Sequence, residues 1–138
     1  MLRLVAALLL MLSVSKAAEL RVIDGDTVAL SDGAVRLMGF NAPETRRARC
    51  EAERRLGEAA KARLAEMIEA GGFVSLEILP CACAPKTIGT MLCNFGRECG
   101  VLSIDGEAVA EILIGEGLAV PFQCGATRCP KLPRPWCD

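Results

Sequence analysis

The sequence predicts a small, mainly β domain of the α+β class, with one long and one short helix. Short apolar-polar alternations separated by Asp-Gly turn signals begin at Glu19 and predict strands. One long stretch, residues 51–70, instead has apolar residues at helical spacing. The 138 residues are enough for one domain with one hydrophobic core, and neither repeats nor a linker divide the chain.

Alternation and bounding turn residues define the predicted strands. Five stretches share this pattern: 19–23, 27–30, 35–40, 73–79 and 100–104. The first three form a meander, and Gly39 allows the third of them to bend.

The long helix covers Glu51 to Ala70 and ends at Gly71-Gly72, and Ala108 to Ile114 predicts the short helix. Residues 80–94 form an irregular Cys-rich loop, and the tail after Phe122 is rich in Cys and Pro. Five short strands with a helix after the third and another after the fifth are typical of a small curled barrel, so we expect a five-stranded OB-fold.

The N-terminus has the pattern of a secretory signal peptide. A positive start at Arg3 precedes the apolar run Leu4 to Leu12, and small residues follow near Ala17. This run is shorter than the roughly 20 residues of a membrane-spanning helix. We therefore expect residues 1–17 to be removed and residues 18–138 to form a secreted or periplasmic domain that has no membrane anchor.

Eight cysteines follow the predicted cleavage site, which indicates disulfides in a small exported domain. Eight cysteines allow 105 pairings, so the sequence does not reveal the connectivity. A four-cysteine zinc site is the alternative, although the Cys81-x-Cys83 and Cys93-x5-Cys99 spacings fit it poorly.

The charge balance limits how the domain could bind a polyanion. The chain carries 16 basic and 17 acidic residues, and cleavage after residue 17 would remove two basic ones. Binding to nucleic acid would therefore need a local basic site. Six arginines lie close together in sequence: Arg36, Arg46, Arg47, Arg49, Arg54 and Arg55. They form either a functional patch or a solvated helix start. The functional patch is favoured, because cations oppose the dipole at a helix N-terminus and so are not placed there to stabilise the helix.

The absence of histidine excludes mechanisms that need imidazole, so acid-base work falls to carboxylates. Asp24 and Asp26 lie two residues apart around a turn, and oxygen ligands of this kind suit Ca²⁺, with Mg²⁺ as the alternative. Asp24-Gly25 could also be only a turn. Arg36 lies in an apolar strand and needs an anionic partner there. That partner is either a phosphate or, in a structural ion pair, Asp24 or Asp26.

Two further residues could act on a phosphodiester. Glu44 follows Pro43, which stiffens the loop and suits a base that activates water, although Glu44 could also cap a helix turn. Arg97 lies in a Gly-Arg turn between Cys93 and Cys99, where it is either a phosphate ligand or a solvated loop residue.

These residues and their spacing resemble the thermonuclease, or staphylococcal nuclease-like, family. The motifs that carry the resemblance are Ile23-Asp24-Gly25-Asp26-Thr27-Val28, Val35-Arg36-Leu37, Pro43-Glu44-Thr45 and Gly96-Arg97. Asp105-Gly106 with Glu111, followed by Glu116-Gly117-Leu118-Ala119, resembles the second helix of that family and its exit. The resemblance covers roughly residues 19–120 and implies the OB barrel.

The resemblance also implies roles for individual residues. Asp26, Asn41 and the carbonyl of Ala42 would hold the metal, and Glu44 would be the general base. Arg36 and Arg97 would bind the phosphate and stabilise the five-coordinate transition state. Phe95 lies where the family tends to have a tyrosine, and it would either stack on a base or only pack.

Two departures from the family pattern have physical consequences. Asn41 replaces an expected Asp, which removes one negative charge and predicts weaker metal binding. The family's long C-terminal helix is absent because prolines interrupt residues 130–138. We expect disulfides at Cys124, Cys129 and Cys137 to fix this tail instead.

The sequence thus predicts an exported, monomeric, metal-dependent nuclease that acts on DNA or RNA with little sequence preference, including single-stranded or frayed DNA. The first alternative is the same barrel as a nucleic-acid-binding module, with a weakened metal site and little or no catalysis. The second is a disulfide-stabilised surface domain that binds a protein partner.

Overall fold

The computed structural model describes residues 19–138, so the predicted signal peptide, residues 1–17, lies outside the described residues. The described chain is an α+β fold with two helices and a mixed sheet, as the sequence predicts at this level. Its elements, in chain order, are β1 Arg21–Asp24, β2 Thr27–Leu30, β3 Gly33–Leu37, β4 Gly39–Asn41, α1 Glu51–Glu69, β5 Val74–Leu79, β6 Glu98–Ile104, β7 Glu107–Ala108, α2 Val109–Gly115 and β8 Val120–Phe122.

The main sheet has the strand order β1-β2-β3-β6-β5, and β7 adds to β6. All of its pairs are antiparallel except β3 and β6, which run parallel with Arg36 opposite Cys99. β4 and β8 form a separate two-stranded antiparallel sheet. Within residues 19–138 we detect no pairing that closes these strands into a barrel.

The predicted count of five strands is wrong, since the described chain has eight. The predicted third strand, 35–40, is two strands separated at Met38. Gly39 has φ +96°, a conformation that favours glycine, and this change of direction takes β4 away from β3 to pair with β8. The predicted bend at Gly39 is therefore strong enough to end one strand and begin another.

One hydrophobic core joins the sheet to both helices. It contains Phe40, Leu37, Leu64, Leu102 and Leu113, all at most 2% exposed. Burying a side chain of this size contributes about 1.5–3 kcal/mol. The core holds the meander against α1, so the strand ends that carry the candidate site residues have a rigid support.

Four disulfides use all eight cysteines, which confirms the predicted disulfides and leaves no thiolate for the zinc alternative. Cys81–Cys99 and Cys83–Cys93 hold the loop before β6. Cys50–Cys137 ties the tail to the start of α1. Cys124 and Cys129, however, pair with each other and close a small loop, so the expectation that they fix the tail to the domain is wrong.

Four disulfides are compatible with an oxidising compartment. Within residues 19–138, no helix combines the length and the apolar character that crossing a lipid bilayer requires.

Candidate functional site

Asp26 lies at the turn between β1 and β2, which is held tightly against α1. A Cβ on the preceding Gly25 would lie 2.7 Å from the Ala60 side chain and 2.9 Å from that of Ala42, so only glycine fits there without a shift. The carboxylate Oδ2 of Asp26 accepts a hydrogen bond from the Ala42 N–H at 3.0 Å, and Oδ1 accepts one from the Thr27 hydroxyl at 3.1 Å. These bonds fix the carboxylate beside β4.

Arg36 lies on β3 opposite Thr27, and its side chain is 13% exposed. Its NH1 donates to the carbonyl of Leu37 at 2.6 Å and to that of Phe40 at 3.2 Å. Its NH2 lies 3.3 Å from Oδ2 of Asp26, which is the ion pair that the sequence offered as the structural alternative for this arginine.

Asn41, at the end of β4, is buried at 2% exposure, and both ends of its amide are used. Oδ1 accepts from NH2 of Arg36 at 3.0 Å, and Nδ2 donates to the carbonyl of Pro133 in the tail at 2.9 Å. An aspartate at this position would have no N–H for the Pro133 carbonyl. The amide is therefore matched to this tail, which gives a physical reason for Asn where the resemblance leads one to expect Asp.

Glu44 follows the buried Pro43 and stands where α1 approaches the loop most closely. Burial, together with the negative charges of Asp26 and Asp24, raises the pKa of Glu44 above its ordinary value, although the cation of Arg134 opposes the shift. A carboxyl with a raised pKa accepts a proton more readily near neutral pH, as a general base must.

Gly57 on α1 makes this approach feasible, because a Cβ there would lie 2.5 Å from the carbonyl oxygen of Glu44 and 2.8 Å from that of Pro43. We expect Gly57→Ala to push α1 and the Glu44 loop apart and to lower both the melting temperature and any activity that needs Glu44. Thermal melts and assays of the same preparations measure the two effects.

Gly115 provides the matched control, since it also lies in a helix and a Cβ there would meet nothing within 4 Å. Gly115→Ala should stabilise the protein by up to about 1 kcal/mol through helix propensity. If Gly57→Ala stabilised the protein as much as Gly115→Ala does, the close contact between α1 and Glu44 would be contradicted.

Arg97 stands next to β6 in a tightly wound turn. Asn94 and Phe95 have φ values of +53° and +56°, and Gly96 follows at +76°. This turn lets the Arg97 guanidinium donate two hydrogen bonds to Asn94, one to its carbonyl at 3.1 Å and one to its side-chain Oδ1 at 2.9 Å. The guanidinium also lies 5.7 Å from the ring centre of Phe95. Phe95 is 67% exposed, so it is not packed in the core.

Electrostatics link Arg97 to the other candidate residues. Its NH1 donates to the Thr27 hydroxyl at 3.3 Å, directly beside Asp26. Burial and the cation of Arg36 lower the pKa of Arg97, while the carboxylates of Asp26 and Glu44 act in the opposite direction. Two guanidinium groups and two carboxylates therefore lie within electrostatic reach of one another.

The tail also contributes an ion pair that the sequence does not predict. Arg134 donates from Nε and NH2 to the carboxylate of Glu53 at 2.8 Å, and Glu53 is 1% exposed. Burial disfavours the ionised form of Glu53, but hydrogen bonds from the Arg49 N–H and from Arg134 outweigh it and lower the pKa. The three prolines of the tail, Pro130, Pro133 and Pro135, mark an irregular segment but give no sign of which side chains it contacts.

The donor atoms that the resemblance implies for a metal ion are all oxygens: the carboxylate of Asp26, Oδ1 of Asn41 and the carbonyl of Ala42. Oδ2 of Asp26 and Oδ1 of Asn41 lie within 3.3 Å of one atom, NH2 of Arg36, so they converge on a point now held by a cation. Within residues 19–138, no three His, Cys, Asp or Glu side chains form a metal-binding group. The oxygens suit Ca²⁺ in type, and a site that depends on one amide and one backbone carbonyl would be weak.

One groove lies elsewhere on the molecule. It has a volume of about 960 Å³ and lies between α1 and strands β1 and β2, away from all the candidate residues. A smaller hollow of about 240 Å³ under the Cys-rich loop reaches Arg97. Neither of these two hollows is lined by Asp26, Arg36, Asn41 or Glu44.

A comparison with protein-family models and a comparison with curated proteins both find no match to this chain.

Proposed function

We propose that this chain is an exported, divalent-metal-dependent nuclease that hydrolyses phosphodiester bonds of DNA or RNA with little sequence preference. The observation that carries the proposal is the convergence of Asp26, Arg36, Asn41, Glu44 and Arg97 at one end of β2, β3 and β6. The proposal includes a thermonuclease-like family, an OB-type barrel and a secretory leader at residues 1–17.

The proposed roles are those that the resemblance implies, and the unused N–H groups of the two arginines support them. The contacts of Arg36 use its two terminal nitrogens and leave Nε–H for a phosphate oxygen. The contacts of Arg97 use one N–H on each terminal nitrogen, so NH1 and NH2 each retain a second one. Both arginines can therefore bind a phosphate, and the exposed Phe95 ring beside Arg97 offers a face for a base.

Glu44 would accept the proton of the attacking water, and its raised pKa suits that role. A Ca²⁺ or Mg²⁺ ion at Asp26, Asn41 and the Ala42 carbonyl would supply positive charge to the phosphate during attack. The two guanidinium groups supply the remaining positive charge from fixed positions, which stabilises charge that develops in the transition state.

Replacement of the amide tests the metal site. We expect Asn41→Asp to tighten Ca²⁺ binding by about tenfold, because a carboxylate adds the missing charge, and titration calorimetry measures this. The same change removes the donor to the Pro133 carbonyl, so the melting temperature should fall slightly. Asn41→Ala is the control and should weaken Ca²⁺ binding. Equal affinities for all three proteins would place the metal elsewhere.

A second candidate function is a binding module of the same form that holds nucleic acid without cutting it. The observation in its favour is that Arg36 already pairs with Asp26 and that both ends of the Asn41 amide are occupied. In this case the phosphate would bind at the arginines and no water would be activated.

Digestion of DNA and RNA by the purified oxidised protein, with Ca²⁺, Mg²⁺ or a chelator, separates the two functions. The nuclease proposal expects cleavage that depends on the metal and is lost in Glu44→Gln. Metal-independent binding without cleavage would support the binding module, and neither binding nor cleavage would contradict both.

A further inference from the structure

The six arginines that cluster in sequence divide into two groups in the structure, those with an ion-pair partner, among them Arg36 with Asp26, and those without one in the described part of the chain. Arg54 pairs with Glu51 and Glu58, and Arg55 also pairs with Glu51. Arg46, Arg47 and Arg49 are exposed, and the ion pairs found among residues 19–138 include none of them. The two carboxylates in the first turn of α1 have other partners: Glu51 pairs with Arg54 and Arg55, and Glu53 pairs with Arg134.

Residues 45–50, here named the arginine segment, are held at both ends and in the middle. The hydroxyl of Thr45 donates to Oδ1 of Asp24 at 2.7 Å. NH2 of Arg134 donates to the carbonyl of Arg47 at 3.0 Å, and Cys50 is bonded to Cys137. The backbone is therefore positioned before any ligand binds, which reduces the entropy that binding must overcome.

The position of these charges is unfavourable for the fold. The arginine segment leads directly into the N-terminus of α1, where the helix dipole disfavours cations. Three exposed cations with no ion-pair partner at such a place repel one another and the helix end. An external polyanion would relieve both repulsions, and the segment begins immediately after Glu44.

We infer that the arginine segment is an additional phosphate-binding surface that takes the backbone of a single-stranded nucleic acid on the Glu44 side of the site. The inference deepens the proposed function, because it extends the same substrate beyond the phosphate held by Arg36 and Arg97. Exposed arginines read the backbone and not the bases, so the surface adds affinity and salt dependence without sequence preference.

The test compares two triple variants with the same change in net charge. The first is Arg46→Gln/Arg47→Gln/Arg49→Gln, and the control is Arg54→Gln/Arg55→Gln/Arg63→Gln, whose arginines are all ion-paired on α1. Binding of a fluorescent single-stranded DNA of about 20 nucleotides, which is longer than one domain covers, is measured by anisotropy over a range of salt concentrations. A chelator prevents cleavage during the titration.

We expect the first variant to bind at least about tenfold more weakly than the wild type at low salt. The slope of log K against log salt should fall by about 2, since each lost phosphate contact on a single strand removes about 0.7. The control should bind as the wild type does, and thermal melts check that both variants fold.

Equal losses in the two variants would mean that only bulk charge matters, and no loss in either would leave the arginine segment without a role; both results overturn the inference. Binding of fluorescent polyglutamate without binding of the DNA would also overturn it, in favour of an acidic protein partner. Because cleavage is not measured, the result is independent of whether the chain is a nuclease.

Discussion

Replacement of Glu44 by glutamine should reduce turnover by at least about a hundredfold with the fold intact, because the amide cannot accept the proton of the attacking water. Glutamine has nearly the same shape and keeps the contact of the loop with Gly57. Initial rates on single-stranded DNA with Ca²⁺ measure the effect. Glu77→Gln, an exposed carboxylate on β5, is the control and should leave the rate unchanged.

The pH dependence gives a second measure of the same group. The pKa of Glu44 is raised by burial and by Asp26 and Asp24. As the pH falls, Glu44 is therefore protonated, and can no longer act as a base, at a higher pH than an ordinary glutamate. We expect kcat/KM of the wild type to fall about tenfold per pH unit below that pKa, and Glu44→Gln to lack this limb. Equal rates and equal pH profiles for the two proteins would remove Glu44 from the mechanism.

Glu44→Gln should lower activity but should not lower the stability of the fold. A carboxyl whose pKa is higher in the folded chain than in the unfolded chain is harder to ionise after folding. Its ionised form therefore costs stability above the folded pKa, and this cost disappears as the pH falls below the unfolded value. Glu44→Gln should thus be at least as stable as the wild type at neutral pH and should lose this advantage in acid.

Removal of the disulfide between the tail and α1 should have the largest effect on stability. Cys50 and Cys137 are separated by 87 residues, so their bond restricts most of the unfolded chain. The chain-entropy relation gives about 4–5 kcal/mol for a loop of this length. Cys50→Ser/Cys137→Ser should therefore lower the melting temperature by at least roughly 10 °C. Serine still caps α1 at position 50, so the loss of the tether is isolated.

Cys124→Ser/Cys129→Ser is the matched control, because that disulfide spans only 5 residues. The same relation gives about 2 kcal/mol for so short a loop. Thermal melts of the two double variants, both with their other disulfides formed, make the comparison. A smaller loss for the Cys50–Cys137 pair than for the Cys124–Cys129 pair would contradict the account of the tail as a tether.

Local sequence patterns predict the elements whose structure depends on near neighbours. The alternation from Thr27 to Leu30 predicts β2 with its observed ends, and the helical spacing that ends at Gly71-Gly72 predicts α1 to within one residue. The division of the third strand at Met38 is different, because it depends on pairing between β4 and β8 across most of the chain. Turn chemistry at Gly39 indicates a bend but does not specify the new partner.

The candidate site shows the same limit. Motif spacing is enough to predict that Asp26, Arg36, Glu44 and Arg97 lie near one another, and the structure brings them together. The second contact of the Asn41 amide could not be predicted, because its acceptor is the carbonyl of Pro133 and any residue has a carbonyl. Arg134 was missed for a similar reason, since nothing periodic in the tail links it to the buried Glu53.

The parallel pairing of β3 with β6 has a consequence for the order in which a growing chain gains its parts. Arg36 meets its neighbour on β6 only when residues near Cys99 are available, although the hairpin of β2 and β3 can form as soon as it is made. Such distant pairings form late because a long loop must close first. The two guanidinium groups therefore come together only after most of the chain has been synthesised, so an incomplete chain lacks the pair of arginines proposed to bind the phosphate.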